Sequence, residues 1–304
     1  MSWRRQAAAA LVGASLIAGC DAGPPTAPSA RATSLAPLPG TELTGLAAEV
    51  RQARADWAHR VVQVRIANSG PVDLTVSAVE LETGGAGGVA RSDPAAARVV
   101  PGQWHRDFSV ALGAPVCAPG AGATGTAGSV DAPRVTVHVS DDAGRTSSLT
   151  LDAEDPQGHL ARIHGEDCAA QAVEAAAALS LAPDLVVEDH GGSLVGVLTL
   201  TVAPHEGAPP VGISRIEGTV LLSPIGGPSW VVPALAAPVT GTTTVRLELT
   251  PSRCDAHAVA EDKRGTFLGV HASLDGTDQA TFYLGVPDCV LGQVHDYVAR
   301  FCGW

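Results

Sequence analysis

The chain has 304 residues, of which 45% are hydrophobic but only 4% aromatic, and its formal net charge is −12. That length accommodates about two domains, with cores built from Val, Leu, Ile and Ala rather than from rings. The acidic balance argues against nucleic acid, whose phosphates need Lys and Arg, and against electrostatic docking on anionic lipid.

The first residues carry Arg4 and Arg5, and the apolar run Ala7 to Ala18 ends in Leu16-Ile17-Ala18-Gly19-Cys20. A spanning helix takes about 20 apolar residues, so this run is too short to cross a bilayer and has the build of an export signal. Its ending resembles the bacterial lipobox, in which an aliphatic residue and two small ones precede an obligatory cysteine. The resemblance implies that residues 1–19 are a cleaved signal peptide and that the Cys20 thiol carries diacylglycerol. Two acyl chains anchor stably where one is marginal, so the expected location is the cell membrane, on its extracytoplasmic face. Residues 20–45 are dense in Pro, Ala, Ser and Thr and lack apolar periodicity. Such a stretch buries too little to offset its ordering entropy and serves as a tether.

A first folded segment is expected over 46–180. Val61 to Asn68 alternates as a half-buried strand and turns at Asn68-Ser69-Gly70-Pro71; Asp73 to Leu81 alternates again. Another strand follows Pro101-Gly102, from Trp104 to Leu112. Arg134–Val139 and Thr146–Leu151 flank the turn Asp141-Asp142-Ala143-Gly144. A helix from Pro156 through Cys168 closes the segment, and the alanine-rich stretch to Leu179 is expected to extend it.

A second segment, over 181–304, has the same layout. Val195–Val202, Ile213–Leu222 and Thr242–Leu249 read as strands, a hairpin turns at Asp275-Gly276, and a short helix closes at Cys302. The turn aspartate precedes the closing cysteine by 27 residues in both segments, Asp141 to Cys168 and Asp275 to Cys302. The expected fold is therefore mainly β: two tandem small β-sandwich domains, each closed by a short C-terminal helix. The order of strands and turns over 57–115 resembles the immunoglobulin-like domains of bacterial surface proteins.

Besides Cys20 there are Cys117, Cys168, Cys254, Cys289 and Cys302. Export favours disulfides, and the repeat pairs Cys117 with Cys168 and Cys254 with Cys302. The rival pairing is Cys254 with Cys289. Under the first, Cys289 is the odd thiol, expected to be buried and inert. Trp304, the last residue, is expected to pack against the body.

No Gly-x-Ser-x-Gly elbow, His-Glu-x-x-His helix, P-loop or dinucleotide fingerprint occurs. The best polar constellation is Asp255, His257, Glu261 and Asp262. On a helix, His257 and Glu261 would stand one turn apart as two metal ligands, with His295-Asp296 as a source for a third. The favoured reading of these residues is a charged cap that pairs with Lys263, Arg264 or loop backbone, because no matching histidine or acids follow Cys117 and a chelate needs a third ligand. His159 and His164 read as surface residues.

The expectation is a non-enzymatic surface lipoprotein, without cofactor, that meets the membrane through Cys20 and binds a surface protein or a cell-wall component. The alternative is a metal- or small-ligand-binding lipoprotein that uses Asp255, His257 and Glu261. The whole resembles lipoproteins of high-GC Gram-positive bacteria, and a sandwich fold does not by itself specify function.

Overall fold

The computed structural model describes residues 36–85, 88–124, 132–255 and 266–304. It is mainly β, with several sheets. After the short helix α1 (Gly40–Leu43) come β1 (Leu46–Arg51), β2 (Val61–Asn68), β3 (Leu74–Glu82), β4 (Val89–Arg91), β5 (Arg98–Val100), β6 (Trp104–Ala111), β7 (Arg134–Ser140) and β8 (Thr146–Glu154). They form one eight-stranded sheet in the order β4-β3-β7-β8-β1-β2-β6, with β5 also on β3. A bridge between Ser92 and Val110 joins its two ends, so the sheet curls almost into a barrel. Its strands alternate as period-2 burial requires: Val62, Val64 and Ile66 of β2 point inward, each wholly buried. Asn68 ends that row as a buried polar side chain. Its Nδ2 donates to Val72 O (2.8 Å) and Val100 O (3.2 Å), and its Oδ1 accepts from Gly70 N (3.0 Å). The turn signal Asn68-Ser69-Gly70 is thus a satisfied polar plug at one end of the near-barrel.

Helix α2 (His159–Ala176) follows, with Asp155 accepting from the backbone N–H groups of His159 (2.9 Å) and Leu160 (2.8 Å). Then come β9 (Ala177–Leu181), β10 (Val186–Asp189), β11 (Leu194–Pro204), β12 (Val211–Glu217), β13 (Leu222–Pro224), β14 (Ser229–Trp230), helix α3 (Pro233–Ala236), β15 (Thr243–Pro251), β16 (Phe267–Leu274), β17 (Thr277–Asp278), β18 (Phe282–Gly285) and helix α4 (Asp288–Cys302). These strands make two sheets. One has the order β10-β11-β15-β13, with β9 also on β11; the other has the order β14-β12-β16-β17, with β18 also on β16. The hairpin β16–β17 turns at Asp275 (φ 46°) and Gly276 (φ 76°). Two positive φ values are what a two-residue hairpin turn matched to strand twist demands.

Residues 35–304 form one compact unit, yet it holds two separate cores, one drawn from residues 38–163 and the other from 169–302. Helix α2 belongs to both. Leu160 and Ile163 are buried in the first core, and Ala169, Val173 and Ala176 in the second. At 3.6 residues per turn these sets lie on opposite sides of the helix, so α2 is wedged between the cores. Helix α4 serves the second core alone and shows one apolar stripe, Val290, Val294, Tyr297 and Val298.

The expected extension of the closing helix to Leu179 is not found. The helix stops at Ala176, and Ala177–Leu181 is β9, paired with Leu200–Pro204 of β11. Alanine's helix preference is worth only tenths of a kcal/mol per residue. An open strand edge offering five paired positions, with Ala177 wholly buried against it, outweighs that preference.

Candidate functional site

A cleft of about 170 Å³ opens where α2 and the β1–β2 connection meet β16 and β18. Trp57 enters from a 3₁₀ turn, Arg54–His59. Its ring meets those of Phe267 (centroids 5.4 Å apart, 81°) and Tyr283 (4.4 Å, 82°) edge to face. Such pairs add about 0.5–1.5 kcal/mol beyond their area. With Phe282, four aromatics line this cleft, in a chain with only five Trp, two Tyr and four Phe. The polar wall is made of paired charges. Arg60 holds Asp167 with two parallel bonds (Nε–Oδ1 3.0 Å, Nη2–Oδ2 2.6 Å) and donates to Gly113 O (3.0 Å). Arg162 holds Glu166 (2.8 and 2.9 Å) and donates to Gln52 Oε1 (2.5 Å). Arg60 itself sits at φ 51°, as the left-handed cap of the turn that presents Trp57.

A second arrangement lies on the outward faces of the sheets and occurs twice. In the first half, Ser148 Oγ on β8 is 2.8 Å from Nδ1 of His138 on β7, and Nε2 of His138 faces Glu80 Oε1 on β3 at 3.6 Å. In the second, Thr281 Oγ1 is 3.2 Å from Nδ1 of His271 on β16, and Nε2 of His271 is 2.7 Å from Glu217 Oε1 on β12. The registers agree. The hydroxyl residue follows its histidine by ten positions each time, and each glutamate pairs with the residue two before the histidine, Thr136 or Gly269. An arginine attends each glutamate: Arg91 Nε on Glu80 at 2.9 Å, and Arg215 Nη2 on Glu217 at 3.8 Å. The Arg91 bond, with a smaller pull from His138, holds the Glu80 carboxyl below its ordinary range despite desolvation.

None of these six residues was singled out from the sequence. The available signal was a histidine followed ten residues later by a hydroxyl, straddling a hairpin turn in each half of the chain. The carboxylate comes from a strand more than fifty residues away, and only strand pairing brings it near.

Of the residues chosen from sequence, Cys20 lies outside the described residues, as do His257 and Glu261. Asp255 is exposed and accepts from Arg253 Nε at 2.9 Å. His295 lies seven residues before Cys302 on α4, about 10 Å along the axis, with its Nε2 buried and without a hydrogen-bond partner among the described residues. Two cysteine pairs stand at disulfide distance, Cys117–Cys168 (1.99 Å) and Cys254–Cys302 (2.05 Å). Cys289 is free but exposed, not buried, with Sγ 3.6 Å from Pro183 O. The inward position at that turn of α4 is taken by Val290. Trp304 stays half in solvent, held by its indole N–H on Cys254 O (3.0 Å).

His159 and His164 are not simple surface residues. Burial pushes the His159 imidazole below its usual range. The His164 ring lies under Gly85, where a Cβ would come within 2.6 Å of it. Its Nε2 donates to Val116 O (3.0 Å) and is 3.4 Å from Cys168 Sγ. Cys117, His164 and Cys168 stand within ligand distance of one another, but sulfurs bonded to each other are not the thiolates that a metal needs.

No protein-family model matches this chain, and no curated protein matches it. Among solved structures, red sea bream transglutaminase aligns at 13% identity and a TM-score of 0.24, over 81% of this chain; the chain spans 32% of that protein's length. The E. coli chaperone DraB aligns at 11% identity and a TM-score of 0.18, over 76% of this chain and 92% of its own. A chaperone and tip-adhesion-subunit complex of Acinetobacter baumannii aligns at 12% and 0.17, over 75% and 93%. Likenesses this slight carry no argument.

Proposed function

We propose that the chain is a lipid-anchored, extracytoplasmic binding protein built of two tandem immunoglobulin-like modules, and that its cleft takes a cell-wall component. The strand pairings support the tandem reading. β2 pairs with β1 and β6 as β11 pairs with β10 and β15. β3 pairs with β7 as β12 pairs with β16, and β7 pairs with β8 as β16 pairs with β17 and β18. The anchor rests on the lipobox resemblance at Cys20. Among the described residues, no helix is long and apolar enough to cross a membrane. Replacing Cys20 with serine is expected to move the protein from the membrane fraction to the soluble fraction, read by fractionation of the producing cells; membrane retention unchanged would remove the anchor.

The observation that carries the binding role is the concentration of rings at the cleft around Trp57. Binding sites favour apolar walls with a few placed polar groups, and they favour the junctions of folded units. The charged groups of the cleft are paired with one another and the rings are open to it, and we read it as a binding site. Its volume suits one sugar ring or one side chain, not a length of peptide. Wild-type protein is expected to co-sediment with purified peptidoglycan sacculi, and Trp57→Ala and Tyr283→Ala to lower the affinity about tenfold, with thermal melts confirming that both variants fold. Equal co-sedimentation of folded variants would remove the cleft. No co-sedimentation of the wild type would remove the wall component.

A further inference from the structure

We propose that Ser148 is an acyl-accepting nucleophile, with His138 as its base and Glu80 as the carboxylate that orients the base. The substrate class is a small activated ester. The inference is independent of the cleft and concerns one acylation step, not turnover. Ser148 is exposed, and its Oγ is 2.8 Å from His138 Nδ1. On the other side of the ring, Nε2 faces Glu80 Oε1 at 3.6 Å. A carboxylate on that side favours the tautomer with its proton on Nε2, and so leaves the Nδ1 lone pair to take the serine proton. That is the general arrangement of nucleophile, base and orienting group. Links between such groups are often long before a substrate binds. Glu80 is in turn fixed by Arg91 Nε at 2.9 Å.

The second copy supports the assignment and sharpens it. There the carboxylate–imidazole link is short, 2.7 Å, in the same register. Its hydroxyl is the secondary one of Thr281, and the strand edge beside it is covered: Ala280 N–H donates to Gly122 O (2.7 Å), and Ala123 bridges Gln279. The hydroxyl and the imidazole are therefore more open in the first half, where Ser148 is exposed and His138 is 37% exposed, than in the second, where Thr281 is half-buried and His271 is 19% exposed. An accessible primary hydroxyl with a base in contact is the one expected to react.

In the step itself, the bond from Ser148 Oγ to the acyl carbon forms as the bond from that carbon to the ester oxygen breaks. The serine proton passes to His138 Nδ1 and then to the departing alkoxide. The products are O-acyl-Ser148 and the free alcohol, with no oxidant, reductant or further reactant.

The test is acetylation of the exported chain by p-nitrophenyl acetate, followed by peptide mass mapping. Ser193, exposed on the turn between β10 and β11, is the internal reference. Ser148 is expected to acetylate at least about tenfold faster than Ser193, a modest share of what a positioned base supplies. His138→Asn should bring Ser148 down to the rate of Ser193, Glu80→Gln should slow it several-fold, and Ser148→Ala should abolish the adduct. A Ser148 rate equal to that of Ser193, or one indifferent to His138→Asn, overturns the proposal. Should His138→Asn not fold, the wild-type pH profile decides. The ratio of the two rates must rise as an imidazole loses its proton, and a flat ratio overturns the proposal equally.

Discussion

Replacing Cys117 and Cys168 together with alanine is expected to lower the free energy of unfolding by about 4 kcal/mol, the chain-entropy value for a loop of this size. The two residues are 51 apart in sequence. Alanine is the right replacement because Cys168 is only 2% exposed, and a serine there would bury an additional hydroxyl. The effect should be felt in both cores, since Cys168 sits on α2 between the residues that serve the first core and those that serve the second. Removing Cys254 and Cys302, 48 apart, should cost a similar amount by loop entropy. That pair, however, ties only the end of α4 to an exposed segment. Denaturant titration of each double variant, followed by circular dichroism and tryptophan fluorescence, checks both numbers. A loss below about 1 kcal/mol for Cys117 and Cys168 would mean that the unfolded chain is already constrained there.

Tyr297→Ala is expected to cost about 3–5 kcal/mol, the range for removing a large buried ring. Tyr297 is 1% exposed and is among the largest fully buried side chains described. Its ring packs against Phe301, and its hydroxyl lies 3.0 Å from Leu249 O and 3.1 Å from Leu194 O, bridging α4 to β15 and β11. Tyr297→Phe should cost only about 1 kcal/mol, because it removes the hydrogen bond and leaves the packing. The pH dependence separates the two contributions. Burial raises the phenol above its ordinary value of 10.0. The unfolded phenol therefore ionises first, and this group's contribution to stability is present below pH 10 and lost as pH rises past it. Thermal melts from neutral to alkaline pH should show that loss in the wild type, and Tyr297→Phe should remove this residue's share of it. Equal alkaline slopes in the two proteins would exclude a role for the buried phenol.

Much of the architecture was legible because period-2 alternation is a local property. The inward rows of β2 and β7 can be read from Val61 to Asn68 and Arg134 to Val139 without knowing any partner, whereas in β3 the alternation shifts at a bulge between Val76 and Ala78, which puts Val79 and Leu81 inward. The two hairpin turns were legible for the same reason, since Asp275-Gly276 states its own backbone conformation. The end of α2 was not. Ala169 to Leu179 is good helix sequence throughout, and β9 forms only because the edge of β11 waits beside it. The exposed thiol of Cys289 was misjudged because position on a helix, not residue type, decides which side chain turns inward.

The sequence by itself determined the mainly β character, the positions of many of the strands and of the two hairpin turns, and the spacing that sets Cys117 with Cys168 and Cys254 with Cys302. All of these depend on neighbours along the chain or on the equal spacing from each turn aspartate to the cysteine that follows it. Only the tertiary structure decided that α2 serves two cores, that Trp57 meets Phe267 and Tyr283, and that Glu80 and Glu217 each reach a histidine more than fifty residues away. The physical reason is that closing such a separation costs loop entropy, which no local pattern records. The pairing of strands from both ends of each segment meets that cost, and it brings distant side chains onto one face.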